Sequence, residues 1–256
     1  MPKSDINLEA MFKTTEGRVR FADALVKGVN YQNITRTVLR IDKVPAGQAA
    51  AIYDNAEGGR TQVEDSEFAD HISFRFAALK RMFDQGGEAF SAAIFKQFTI
   101  PQQEDELLFE SLKTLEQRTL MYKDEEALQC CFPQMMTYLE EKDLKAKYFV
   151  ANPRLCSYIK IVHDVDILRS DLCDVNEVYI FPEKEFSGVF AIRNDLQCVP
   201  ADNPEAITVG FVFFELAGLY VDKAKVLRFN LNRRQYKNKF EFFQATWKDE
   251  NETITA

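Results

Sequence analysis

A nucleophile needs a base to activate it, and histidine is the usual one. The sequence carries two, His71 and His163. Neither sits in a strand-to-helix elbow or beside a cysteine, so both read as structural or exposed side chains. His163-Asp164-Val165-Asp166 has residue types suited to a divalent cation, and its two aspartates would share one face of a strand. The run lacks the glycine and distal glutamate of a calcium loop, and a solvated face accounts for it better. Glu104-Asp105-Glu106, just after Pro101, reads as the acidic start of a helix at the positive end of its dipole. Glu140-Glu141 suits an exposed helix side. No GxGxxG, no GxxxxGK followed by Ser or Thr, and no HExxH occurs. No catalytic, cofactor-binding or metal-ligating residue is assigned, and no enzyme activity is expected.

The cysteines are Cys130, Cys131, Cys156, Cys173 and Cys198. An odd count without a signal peptide reads as reduced thiols in a cytosolic setting. The Cys130-Cys131 pair is not a CxxC, and both thiols are expected to be buried among apolar groups.

These residues must be positioned by a chain of 256 residues with 32 Lys+Arg against 40 Asp+Glu, a net charge of −8. Apolar residues at 46% and charged ones at 28% describe a folded chain with a sizeable core, in one large domain or two modest ones. Phe occurs 22 times against 10 Gly and one Trp, which favours broad packed surfaces over glycine-rich phosphate loops. A pI near 5.0 argues against a dedicated nucleic-acid binder. The longest apolar run, Gly210 to Leu219, is interrupted by Glu215 and falls short of a bilayer span. A soluble protein without an export signal is expected.

The spacing predicts an amphipathic helical segment over Asp5 to Gly28, more arm than core. Thr35 to Ile41 reads as an alternating strand. Gln48 to Tyr53 and Thr61 to Val63 flank Asp54-Asn55-Ala56-Glu57-Gly58-Gly59, the pattern of a hairpin that needs support from another surface. His71 to Phe83 reads as strand and Glu88 to Phe98 as helix. A long helix follows, with Leu108, Leu112 and Leu115 as its apolar stripe; about 20 residues at roughly 1.5 Å each would span about 30 Å. Pro133 is expected to open a helix with Met135, Met136 and Leu139 buried. Lys145 to Val150 reads as strand, and Asn152-Pro153 as an N-cap with proline in the first turn of a helix reaching Val162. Strands are expected at Val178 to Phe181, Val189 to Ile192, Leu196 to Val199, Ile207 to Tyr220 and Val226 to Leu231.

This order, with "YFVANPRLCSYI" and "VYIFPEKEFSGVFAIRNDLQCVPAD" after the long helix, resembles the major capsid proteins of tailed bacteriophages, of the Hong Kong 97 type. The resemblance implies an α+β capsid fold with an N-terminal arm (1–33), an extended loop hairpin (34–70) and a peripheral domain with a spine helix (71–122). It further implies an axial domain (123–221) and a return strand with C-terminal tail (222–256). Gln102 to Arg118 would be the spine helix. Asn152-Pro153 would be the strand-to-helix step of the axial domain, and the Phe186 to Val199 stretch a hairpin before the loop at a capsomer centre. Val226 to Leu231 would return to the peripheral domain.

The implied function is a subunit that self-assembles, as pentamers and hexamers, into the head shell of a phage and encloses its DNA. Scaffolding, portal and cement proteins are the implied partners, with nonspecific contact to packaged DNA at most and no membrane. The location would be the virion, after assembly in the bacterial cytoplasm. Val44 to Leu79 contains no lysine, so shell cross-linking through the loop is not expected, and no fused scaffolding segment is seen. Acidic Asp54, Glu57, Glu64, Asp65, Glu67 and Asp70 and basic Arg228, Arg233, Arg234, Lys237 and Lys239 are candidate intersubunit contacts, positive patch to negative. The alternatives are an encapsulin-type compartment shell and a cytosolic α+β enzyme with an unrecognised site.

Overall fold

A computed structural model describes residues 14–28, 32–45, 48, 51–54, 60–75, 77–78, 80–81, 96–159, 164–201 and 208–233. The chain divides into two units, 1–114 with 183–226, and 115–182 with 227–256. The segment 123–221, expected as one axial domain, is therefore shared, its last part belonging to the first unit. The reason is pairing. The two strands between residues 183 and 226 hydrogen-bond to strands from the front of the chain, and long-range ladders outweigh sequence proximity.

In the first unit a four-stranded sheet runs in the order β1 (Arg40–Lys43), β9 (Gly188–Pro200), β10 (Thr208–Val221), β4 (Asp65–Arg75). β1 lies parallel to β9, whereas β10 is antiparallel to both β9 and β4. One face carries Phe68, Ile72, Phe74, Phe190, Phe211 and Phe213, all buried. Helix α1 (Thr15–Gly28) packs there through Phe21, whose ring lies 5.4 Å from that of Phe211, and through Ala22 and Leu25. The described part of the expected arm thus joins its own sheet. Residues 1–13 lie outside the described residues.

Where a strand was expected from Thr35, the chain forms a short helix, α2 (Ile34–Val38). Asn33 caps it through Oδ1 on the Arg36 amide, and Asp105 takes the Ile34 and Thr35 amides. These acceptors satisfy the orphan donors of a helix start and override the β-branched preference of Ile34, Thr35, Thr37 and Val38. The long helix is α3 (Ile100–Lys113), 14 residues, about 21 Å at roughly 1.5 Å each. It stops short of the expected Arg118 because β5 (Gln117–Tyr122) claims that stretch as a parallel partner of β11 (Leu227–Arg233). After β4 the chain is helical at 77–78 and 80–81, not strand. Glu88 to Phe95, most of the expected helix there, lies outside the described residues.

The hairpin forms as β2 (Ala51–Asp54) and β3 (Arg60–Val63), with Ala51 opposite Val63 and Asp54 opposite Arg60. Val189 to Ile192 and Leu196 to Val199 are one continuous strand, β9, so no hairpin turns at Asn194-Asp195.

The second unit holds a five-stranded sheet in the order β5, β11, β8 (Glu177–Phe181), β6 (Tyr148–Ala151), β7 (Asp166–Arg169). Leu227 to Leu231, most of the expected return strand, lies in the second unit within β11. Helix α4 (Glu125–Glu140) covers this sheet with Leu128, Phe132, Met135 and Leu139. Its N-cap is Asp124, which accepts from the Ala127 amide, and Pro133 lies inside the helix instead of opening it. At Asn152-Pro153 the expected cap is present. Asn152 Oδ1 accepts from the Arg154 amide at 3.1 Å, but the helix it starts, α5 (Pro153–Cys156), is a single turn. Cys130 is exposed on α4, against expectation, because the helical rotation that turns Cys131 inward turns its neighbour out. Among the described residues no helix is long and apolar enough to cross a membrane.

Candidate assembly surface

The densest polar construction of the first unit is built around Arg36 on α2. Its guanidinium grips Glu104 of α3 with two bonds, Nε to Oε2 at 2.9 Å and Nη2 to Oε1 at 2.8 Å. Nη2 also reaches Glu215 Oε1 of β10 at 2.6 Å. Glu104 and Glu215 are 0% and 1% exposed. Asn33 adds a bond from Nδ2 to Glu104 Oε2 at 2.7 Å, and the Arg36 guanidinium lies 5.3 Å from the Phe190 ring centre. Beside it, Asp105 accepts from the Thr35 amide and hydroxyl, each at 2.8 Å. Burial pushes the Asp105 carboxyl above the usual carboxylate range, against the pull of the Thr35 and Ile34 donors. Of the acids expected at the helix start, Glu104 and Asp105 thus face inward and hold the chain segment just before the hairpin onto helix and sheet, whereas Glu106 is exposed.

The base of the hairpin is fixed separately. Tyr53 of β2 and Val63 of β3 pack on Val189 and Ala191 of β9, with the Tyr53 ring 4.6 Å from that of Tyr220. The Tyr53 hydroxyl donates to Asp222 Oδ2 at 3.4 Å. Burial first, then the nearby Asp222 charge, pushes the phenol up to about 12, so it is a neutral donor at physiological pH. Gly218 lets β10 approach this base closely; a Cβ there would stand 2.5 Å from the Glu64 carbonyl oxygen. The expected support for the ribbon is therefore the chain's own sheet. Ile52, on the outer side, is 60% exposed.

In the second unit Glu177 ties β8 to β11. It accepts from Arg228 and, through Oε2, from the Tyr179 hydroxyl at 2.7 Å. The candidate contact residues divide accordingly. Arg228 is engaged with Glu177 inside the chain, Asp65 with Arg193 at 2.5 Å, and Asp70 accepts from the Thr99 amide at 2.7 Å. Glu64, Glu67 and Arg233 are exposed. The Asp54 side chain, Glu57, Arg234, Lys237 and Lys239 lie outside the described residues.

Among the described residues no group of His, Cys, Asp and Glu is placed to hold a metal ion. Asp164 has a left-handed φ of 67°, Asp166 opens β7, and His163 lies outside the described residues.

No family model matches the sequence, and no curated protein matches it. Solved structures do. A virus-like particle from Pyrococcus furiosus aligns with TM-score 0.59 at 17% identity, over 82% of this chain and 98% of that one. The holo-SrpI encapsulin complex from Synechococcus elongatus PCC 7942 aligns with TM-score 0.56 at 9% identity, over 84% and 98%. The mature capsid of bacteriophage PhiM1 aligns with TM-score 0.50 at 11% identity, over 80% and 88%. The fold is the Hong Kong 97-type shell fold. These neighbours are shell subunits, not enzymes.

Sequence reading missed Arg36, Glu104, Glu215, Tyr53 and Asp222 as the residues that fix this fold's extended parts. One signal was visible. Glu215 interrupts an otherwise apolar strand, and a charge in a buried strand demands a partner. Nothing local names Arg36, 179 positions away, as that partner.

Proposed function

We propose that this chain is the major capsid protein of a tailed bacteriophage, assembling into a closed head shell around the phage DNA. The observation that carries this reading is the extent of the fold match. It takes in about four fifths of the chain and most of each matched shell subunit, the mature capsid of bacteriophage PhiM1 among them. A subunit held by several neighbours in closed symmetry gains a very stable shell from modest individual contacts. The 2-stranded hairpin, with little core of its own and Ile52 exposed, fits a contact element. The shell is held without covalent links through the hairpin, which has no lysine to offer. Exposed Glu64 and Glu67 and the basic residues from Arg233 onward meet across subunits and set register. Portal, scaffolding and cement proteins would be further partners.

Size-exclusion chromatography with negative-stain microscopy of the purified protein tests the reading, with a scaffold partner added if the protein alone stays small. Closed particles are expected; a monomer or dimer that never assembles overturns it. The encapsulin fold match supports a second reading, a compartment holding protein cargo. Particles isolated from the native source separate the two: packaged DNA marks a phage shell, enzyme cargo a compartment. The charge-paired contact has its own test. Reversing Arg233 and Arg234 to Glu is expected to block assembly and leave the subunit folded, and normal particles would refute it.

A further inference from the structure

Asp222 stands at the end of β10, in the last turn of the first unit before the chain enters the second. It is 4% exposed and its groups are used in several directions. Oδ1 accepts from the Ala224 amide at 3.1 Å, and Oδ2 is 3.3 Å from Lys225 Nζ and accepts from the Tyr53 hydroxyl. Its amide donates to the Ser187 carbonyl at 3.0 Å, and its own carbonyl accepts from Lys225 and Val226. Ser187 ends the turn α6 (Lys184–Ser187), the stretch by which the chain had just come back into the first unit. Phe186 of that turn lies under the Lys225 ammonium, 5.6 Å away. The outgoing and incoming connections are thus stitched together at one residue, the incoming one through its backbone amide, and one partner of its carboxylate comes from the hairpin.

We propose that Tyr53 and Asp222 form a latch that couples the hairpin to the two connecting segments, so that a change in the pose of the hairpin is felt at residues 222–226. The geometry carries this. Tyr53 reaches from β2 to a side chain of the connection, and its ring packs at a tilt on that of Tyr220, two positions before Asp222. A displaced hairpin withdraws a donor from a buried carboxylate whose remaining partners must then re-form around it. Tyr53 is a positioning residue. Tyr53→Phe keeps the ring packing and removes only the hydroxyl.

Hydrogen exchange of the purified protein, wild type and variant in the same assembly state, reads the coupling amide by amide. Tyr53→Phe is expected to speed exchange roughly fivefold at 51–54 and 60–63 and also at 224–226, with β8 and β11 unchanged. Faster exchange of the hairpin alone, or no change at either place, would overturn the latch. Lys225→Met acts on the carboxylate from the other side and keeps the hydroxyl bond. It is expected to speed exchange at 224–226 and leave 51–54 unchanged; acceleration spread evenly over the whole chain in both variants would also refute it.

Discussion

Arg36 shows how much a single guanidinium can hold when its partners are dry. Two carboxylates at 0% and 1% exposure face it, and each would lose its guanidinium partner if it were removed. Breaking a buried pair from one side costs about 3–5 kcal/mol, since the remaining charge is left in low dielectric. Arg36→Ala should therefore lower the denaturation midpoint severely, and Arg36→Lys should rescue little, because an ammonium cannot reproduce the two-pronged grip on Glu104. Urea unfolding of unassembled subunits measures both. The thiols give a second expectation. Burial raises Cys131 and Cys156 and pushes Cys198 up to about 12, and Cys173 is raised further by the same cause. A maleimide at neutral pH should label Cys130 rapidly and the other four only after unfolding, as read by mass spectrometry. Tyr53 gives a pH dependence. Its raised pKa means the folded state favours the neutral phenol, so its contribution is intact below the unfolded value of 10.0. It is lost as the pH climbs through about 12. Stability should fall across that alkaline window in the wild type, and less steeply in Tyr53→Phe.

Elements were legible where their signals were local. The Asn152-Pro153 cap, the glycine-rich hairpin and the long apolar strand β10 were all readable from neighbours in sequence, and the structure contains each of them. Misreadings arose where a distant partner decided. Thr35 to Ile41 has strand composition, but Asp105, some 70 positions on, supplies the acceptors that turn its start into a helix. The leucine stripe of α3 continues past Lys113, yet β11 recruits the next residues as a strand. The acids of α3 were visible as acids; that Glu104 faces inward depends on Arg36 arriving from another element. Gly188 marks a comparable dependence on the surroundings. It opens β9 at a φ of 142°, where an added Cβ would lie 2.2 Å from the Tyr220 carbonyl oxygen. Gly188→Ala should cost at least about 2 kcal/mol, from combined strain and displacement of the β10 backbone. A normal urea midpoint would show that β10 can shift to accept it.

At the scale of the whole molecule, in the proposed assembly, the acidic balance of −8 would hold free subunits apart by mutual repulsion until specific contacts form. Assembly is accordingly expected to be promoted by moderate salt, which screens the net charge, and suppressed at high salt if opposed surface charges set register. Light scattering across a salt series measures this; a monotonic rise would argue against the charge-paired contact. The division of the chain carries a further consequence. The backbone passes between the two units three times, after Thr114, Pro182 and Val226. The first sheet waits for β10 to join β9 to β4, and the second waits for β11, which lies between β5 and β8. During synthesis neither sheet can close until the ribosome has translated most of the chain. A product ended before β11 would lack the strand that joins β5 to β8 and leave the second sheet open, a form the proposed shell could not take up as a sound tile.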